Sequence, residues 1–453
     1  MPIKYLLLCS LSLLLTACAV PIEELHSPIT PPTQFSQTGE APLQDRWWLA
    51  FNDPELNQLI ELALANNFTL AATFDRLRLA EALSQINHSE LIPSVSAVFG
   101  GRQNYSNLSD SSQFSLGLVA SYEVDLWGRI RAQNQAANLD VRVAQENIGT
   151  AAISLSAEVA IAWYRLIEQR SQLALLNQQI ATNQDNVDIT IARFAGAQST
   201  AADLFQQQQT LEARKGDRYH VLANIKVLEH QLAILTGNTP EVFTLPDNHQ
   251  LPALPDQPKT GLGIALLQRR PDIRLAYFKV QAADQRVASA IADRYPKLSL
   301  SANVDTLAPN LQSLFNNWIA TLAGNLLLPI IDGGRRVAEV DRNKALAAES
   351  LNIYAATTLE AIKEVEDTLS QEQQQRQLVT SLDEQYTLSK LANEQIRLRY
   401  MYGSMDFLRL LTVQINLQSL DRNRLAARRQ LIEYRISLYR ALAGGWYIER
   451  SSE

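Results

Sequence analysis

Beyond residue 18 this chain has no cysteine: Cys9 and Cys18 are the only two among 453 residues. The body of the protein therefore has no intramolecular disulfide, thiolate metal site or cysteine nucleophile. The five histidines are scattered, and His220 and His230, ten apart on one helical stretch, read as surface or packing residues rather than metal ligands. Aromatic residues make up only 7% of the chain, while Ala, Leu, Gln and Arg abound, a balance typical of long helices. The net charge of −7, with no stripe of Lys and Arg, argues against a nucleic-acid partner. No phosphate-binding glycine loop, zinc-binding helix motif or nucleophile elbow occurs, and no acidic pair sits where acid–base chemistry would need it. The runs Gln206 to Gln209 and Gln373 to Gln375 read as polar helix faces. No enzyme and no bound cofactor are expected.

Proline is missing from two long stretches, between Pro93 and Pro240 and after Pro329. Where proline does occur, it divides the chain. Pro21, Pro28, Pro31, Pro32, Pro42 and Pro54 mark an extended leader, and Pro240, Pro246, Pro252, Pro255 and Pro258 mark a central linker. The two sides of the linker repeat. Aligning Gly128 with Gly334 also aligns Glu158 with Glu364, Arg170 with Arg376, and Arg193 with Arg399. An offset held over such a distance implies duplication of one unit.

Within each repeat the hydrophobic period changes twice. Helical patterns run roughly over Pro54 to Glu90 and Gly261 to Asp293. Strand patterns follow: Phe114, Leu116, Leu118, Ala120, Tyr122 and Val124 alternate with Ser115, Gly117, Ser121 and Glu123. Leu298, Leu300, Ala302 and Val304 alternate in the same way with Lys297, Ser299, Ser301, Asn303 and Asp305. Alternation by itself favours a half-buried sheet of a soluble protein; it also fits a membrane-barrel strand. A heptad seam comes next, through Ile148, Ala152, Leu155, Val159, Ala162, Leu166, Gln169, Leu173, Leu176 and Ile180, which calls for coiled-coil packing. From Arg129 to Phe194 no proline interrupts, giving a helix of roughly 100 Å. Breaks near Gly196 and Gly403 each start another helix.

The N-terminus has one lysine, Lys4, and then an apolar stretch, Tyr5 to Leu15, too short to span a bilayer. It reads as a secretory signal ending in Leu15-Thr16-Ala17-Cys18, which resembles a bacterial lipobox. Ordinary cleavage with Cys18 as a bystander is the alternative. The small flanking residues and the lack of later cysteines favour acylation of Cys18, and Ala19, in place of an inner-membrane retention aspartate, favours the outer membrane. No later stretch reads as a membrane helix, so any crossing would be made by strands. Two hairpins supply four strands, and closed bacterial barrels begin at about eight. Open edges cannot face lipid, so several chains are expected to share one barrel; three would give about twelve strands.

The motifs that make the picture specific run in order along the mature chain: the lipobox, "QDRWWLAFNDPELNQLIELALANNFTL" (Gln44 to Leu70), "SYEVDLWGRIRA", "LLQRRPDIRLA" (Leu266 to Ala276), "YPKLSLSA", "LPIIDGGRR" and "LYRALAGGW" (Leu438 to Trp446). Together they resemble the TolC superfamily of trimeric outer-membrane efflux ducts, most closely its NodT-type lipoprotein branch, which serves resistance–nodulation–division pumps. The resemblance implies a mainly α fold with a β portion: a homotrimeric twelve-stranded barrel in outer-membrane lipid, continued by a long α-helical coiled-coil tunnel in the periplasm. It also implies passive conduction of drugs or other small compounds, with a periplasmic adaptor and an inner-membrane pump as partners. The competing reading is a structural trimeric coiled-coil lipoprotein that conducts nothing.

The expected layout is a signal peptide over 1–17, a lipid-anchored leader over 18–52, a first repeat over 53–238, a linker over 239–260, a second repeat over 261–445 and a tail over 446–453. Gly128, Gly333 and Gly334 would sit where strands hand over to helices. The resemblance places a periplasmic gate at Arg193 and Asp203 in the first repeat and at Arg399, Tyr400, Tyr402, Asp406 and Arg409 in the second. Relatives often carry aspartates at the positions of Arg409 and Thr412. The repeat alignment sets Arg409 opposite Asp203, which suggests an ion-pair lock between repeats or protomers in place of an acidic constriction; exposed helix-end charges are the plainer reading.

Overall fold

A computed structural model of the chain describes residue 29 and residues 32–107, 110–241, 243–261 and 263–442. The signal peptide, the lipobox with Cys18 and the tail 446–453 lie outside the described residues. Two short 3₁₀ turns, Trp47–Phe51 and Leu311–Ser313, accompany the regular elements. The first repeat comprises α1 (Pro54–Asn66), α2 (Phe68–Ser89), β1 (Ser94–Asn104), β2 (Ser111–Val124), α3 (Arg129–Ala195) and α4 (Ala201–Leu235). The second comprises α5 (Gly263–Arg269), α6 (Pro271–Ala292), β3 (Lys297–Ala308), β4 (Ile319–Leu327), α7 (Arg335–Met401) and α8 (Phe407–Leu442). The order α-α-β-β-α-α thus occurs twice, and α3 and α7 are each 67 residues long.

The long opening helices expected from the sequence are each broken in two, for identifiable reasons. Asn67 is extended (φ −66°, ψ 122°) between α1 and α2. Its side-chain oxygen accepts from Leu70 N at 2.9 Å and its amide donates to Leu235 O at 3.0 Å, so one residue caps α2 and also serves the end of α4. Pro271 at the first position of α6 separates it from α5, as a ring with no N–H requires.

The chain divides into two compact units. One holds Phe74–Asn147 and Asp272–Thr358, including all four strands; the other holds the described parts of Pro31–Thr73, Ile148–Pro271 and Leu359–Glu453. In the first unit the strands form one antiparallel sheet in the order β1-β2-β3-β4. Register places Val95, Ala120, Ala302 and Leu322 in one row, and Ala97, Leu118, Val304 and Ala320 in the next. Directly paired residues share a face, so these rows extend the sequence-derived apolar face of β2 and β3 across the whole sheet. Phe99, Leu116, Tyr122, Leu300, Val124, Leu298 and Leu326 join it. The opposite face carries Ser94, Ser96, Ser115, Ser121, Ser299, Ser301, Asn303, Asp305 and Asn325 among a minority of apolar residues.

The second unit has a dense core. Trp47 stacks on Tyr439 at 5.6 Å and Phe51 packs on Tyr164 at 5.5 Å. Asp53 caps α1 by accepting from Glu55 N and Leu56 N, and it also accepts from the indole N–H of the fully buried Trp163 at 2.9 Å. The proline-rich linker is fastened by two arginines, Arg170 donating to Pro246 O and Arg435 to Pro255 O. The leader runs beside it through the parallel bridge Ala41–Pro258 and the Thr260 hydroxyl donating to Gln37 O at 3.1 Å.

The heptad seam of α3 is buried from Ile148 to Leu166 and at Leu176, while Gln169, Leu173 and Ile180 are half-buried. An 18-residue window of this helix has a mean hydropathy of 1.2, enough by length and composition to cross a membrane, yet 67% of it is buried within the protein. That corrects the reading that no later stretch approaches a membrane helix; the apolar run is packed as core. Toward its C-terminus the seam turns polar. Gln179 donates to Gln418 O at 3.2 Å, and Gln207 donates to Asn183 Oδ1 at 3.3 Å, all four residues being buried. Buried amides in a helical seam fix register, at some cost in stability.

The Trp163–Asp53 bond gives a direct stability test. Trp163→Phe removes the donor and leaves the carboxylate of Asp53, 7% exposed, short of a partner. A loss of about 1–3 kcal/mol is expected, read from thermal unfolding of the solubilised protein; an unchanged midpoint would contradict it.

Candidate functional site

Two places concentrate unusual local structure: the junctions between strands and long helices, and the turns that end those helices. At the junctions Gly128 has φ +79°, Gly333 φ +66° and Gly334 φ +83°, the left-handed region that glycine enters without Cβ strain. Gly128 lies between β2 and α3, and Gly333 and Gly334 lie between β4 and α7. Their neighbours lock the bend. Asp125 accepts from Arg131 N at 2.8 Å, and Glu123 accepts from Arg129 Nη2 at 2.9 Å. In the second repeat Asp332 accepts from Gly334 N at 3.1 Å and from Arg336 Nη1 at 3.0 Å. Trp127 donates its indole N–H to Pro296 O at 2.8 Å and stacks on Tyr295 at 4.9 Å, pinning the junction after β2 to the one before β3. Burial works against the carboxylate of Asp293, but the Lys297 ammonium bonded to it and the charge of Arg336 hold its pKa below the ordinary value.

At the turns the two repeats use the same geometry with different residues. Gln198 N donates to Arg193 O at 2.8 Å in the first, and Ser404 N donates to Arg399 O at 2.9 Å in the second. The left-handed residue is Gly403 (φ +73°) in one and Ala197 (φ +59°) in the other. Alanine there carries Cβ strain that glycine avoids. Thr200 and Asp203 form a reciprocal capping box on α4. In α8 the cap is Asp406, whose Oδ1 accepts from Arg409 N at 2.8 Å. The matching third helical position is therefore Asp203 in one repeat and Arg409 in the other. A cation in a helix's first turn opposes the dipole, so local helix stability does not account for Arg409.

Of the seven gate candidates, the structure joins two across the repeats: the Arg193 guanidinium lies 4.4 Å over the ring of Tyr400. Tyr400 is 9% exposed and also packs against Phe407 at 6.1 Å. Desolvation pushes its phenol pKa up, partly offset by Arg193. Arg399, Tyr402, Asp406 and Arg409 are exposed. Among the described residues no ion pair joins Asp203 to Arg409 within one chain; the Asp203 carboxylate accepts instead from Thr200 N at 2.9 Å and the Ser199 hydroxyl at 3.1 Å. Also among the described residues, no group of three or more His, Cys, Asp or Glu could hold a metal ion. Sequence reading missed the Arg193–Tyr400 pairing and the Trp127 lock. The only available signal for the pairing was that Arg193 aligns with Arg399, next to Tyr400, in the repeat.

Residues 59–238 and 263–444 match the family model described as outer membrane efflux protein. The pyoverdine export outer membrane protein OpmQ of Pseudomonas aeruginosa is 29% identical over 99% of this chain and 98% of its own length. The probable efflux pump outer membrane protein TtgC of Pseudomonas putida is 30% identical over 93% of this chain and 89% of its own length. Among solved structures, the outer-membrane channel OprN superimposes with a TM-score of 0.87 at 26% identity, covering 95% of this chain and all of that one. The open state of the MtrE outer membrane channel of Neisseria gonorrhoeae gives a TM-score of 0.85 at 25% identity, covering 94% of this chain and 98% of that one.

The capping box yields a pH prediction. The hydrogen bond from the Thr200 backbone leads the causes that lower the Asp203 pKa. A depressed carboxylate stabilises the fold above its unfolded value of about 3.9 and loses that contribution as the pH falls through the folded value. Wild type should therefore melt above Asp203→Asn at about pH 6, and the gap should close below about pH 4. A gap independent of pH would contradict the assignment.

Proposed function

The chain belongs to the outer membrane efflux protein family, and on that premise we propose that three copies close one twelve-stranded barrel and form the passive exit duct of a tripartite efflux pump. One observation carries the reading: a four-stranded sheet with a continuous exposed apolar face and two unpaired edges, β1 and β4. Phe99 is 62%, Leu118 55%, Leu322 82% and Leu326 67% exposed in the single chain. Exposed apolar rows on a sheet with polar residues behind them suit a barrel wall between lipid and water. The band from Phe114 to Val124 rises about 33 Å along the strand at about 3.3 Å per residue. Tilted by about 40°, it covers close to the roughly 25 Å expected of such a wall.

The finer parts of the reading go with it. Cys18 carries a covalent lipid that holds the leader at the outer membrane. A periplasmic adaptor and an inner-membrane resistance–nodulation–division pump deliver cargo to the helical end. Arg193 stacked on Tyr400, with Asp203, Arg399, Tyr402, Asp406 and Arg409 around them, closes that end at rest, and Arg409 pairs with a carboxylate of a neighbouring protomer. The similarity to OpmQ, a pyoverdine export outer membrane protein, makes pyoverdine a first cargo to try. A coiled-coil spacer lipoprotein is the rival, and an apolar sheet face is what it would not need.

Crosslinking in mild detergent should give trimers, and the purified protein should conduct ions in planar bilayers. Monomers alone would overturn the shared barrel. Trimers without conductance would favour the spacer.

A further inference from the structure

The polar face of the sheet bears four charged side chains, Arg102, Glu123, Lys297 and Asp305. Two are already neutralised near the helix junctions, Glu123 by Arg129 at 2.9 Å and Lys297 by Asp293 at 2.6 Å. Arg102 pairs with Gln113, outside the apolar band, toward the β1–β2 loop. Asp305 differs. It pairs with Gly117 on β2 and Ile319 on β4, at a level inside the band Phe114–Val124 of the opposite face. Among the described residues no basic group forms an ion pair with it.

The surroundings hold this carboxylate in place. Asn303, two residues earlier on the same face, donates its amide to Asp305 Oδ1 at 2.6 Å. The neighbouring strand offers glycine where a side chain would crowd this carboxylate: a Cβ on Gly117 would lie 3.3 Å from Asp305 Cβ and 3.2 Å from Val304 O. Glycine inside a strand marks such a close approach. An ionisable group at membrane depth, without a counter-charge, faces the protein interior or a water-filled cavity, not lipid.

We propose that Asp305 sets the charge preference of the barrel interior. In the trimer, on which this inference rests, three copies form one ring of carboxylates on the water-filled side. Such rings enrich cations and impede anions in proportion to their net charge. Asn303 orients the carboxylate, and Gly117 clears the space in which it stands. Asp305 is a selectivity-determining residue for a passage whose closure lies elsewhere.

The test is the reversal potential of the full-length trimer in planar bilayers under a potassium chloride gradient. Wild type should show a cation preference. Asp305→Asn, which keeps shape and hydrogen bonding, should move the reversal potential toward zero, and Asp305→Lys should carry it to the opposite sign. Ser299→Ala, on the same face, should leave it in place. Equal reversal potentials for wild type and both Asp305 variants, at normal trimer yield and measurable conductance, would overturn the inference while leaving the channel intact. Absence of any current from wild type would overturn the channel reading and the ring together. Asp305→Ser provides a second neutral variant should Asp305→Asn fail to assemble.

Discussion

The unpaired backbone of β1 and β4 governs this architecture. Each strand presents a row of N–H and C=O groups with no strand partner among the described residues, beside a face rich in Val, Leu, Phe and Ala. In water such an edge invites aggregation, and in lipid each open group costs several kcal/mol. The two demands have one joint solution, which is closure with further copies of the same sheet. Each strand pair leads into a long helix through a glycine bend fixed by Asp125 or Asp332. The bends at Gly128 and Gly334 therefore link the sheet to the helices in each repeat.

Duplication supplied two copies of this device, which then diverged where chemistry mattered. By the offset that pairs Gly128 with Gly334, Glu229 corresponds to Arg435 and Arg170 to Arg376. In the first repeat Arg170 pairs directly with Glu229 at 3.3 Å. In the second both positions are basic, and Glu372 serves both: it accepts from Arg435 Nε at 2.9 Å and Arg376 Nη2 at 2.8 Å. Arg435 is 0% exposed, so removing Glu372 would strand a buried charge. The divergence of Asp203 and Arg409 at the helix turns is of the same kind, except that the changed charge is exposed.

Much of this was legible in the sequence. The duplication, the two 67-residue helices, the apolar alternation of β2 and β3 and the glycine bends all follow from local periodicity and backbone preference. What escaped depended on partners distant in sequence. The break at Asn67 is invisible locally, because its amide answers a carbonyl at Leu235. Gln207 lies in a run that reads as a polar helix face, yet it bonds Asn183 in the buried seam, where Gln179 and Asn183 also reach Gln418. Arg193 and Tyr400, from opposite repeats, come together only once both turns are folded. Asp305 was seen as one polar position in an alternating strand; its isolation at mid-band emerges only from the register with Gly117.

An apolar face that meets lipid and a polar face that meets water must differ in accessibility along one strand. The chain after Cys18 is free of cysteine, so single cysteines at Leu118, Ala120, Ser115 and Ser121 can be probed one at a time in membranes. Cysteine at 115 and 121 should react with a water-soluble maleimide and be spared by a lipid-confined quencher, and 118 and 120 should show the reverse. The same reactivity at all four positions, or the opposite alternation, would contradict the account.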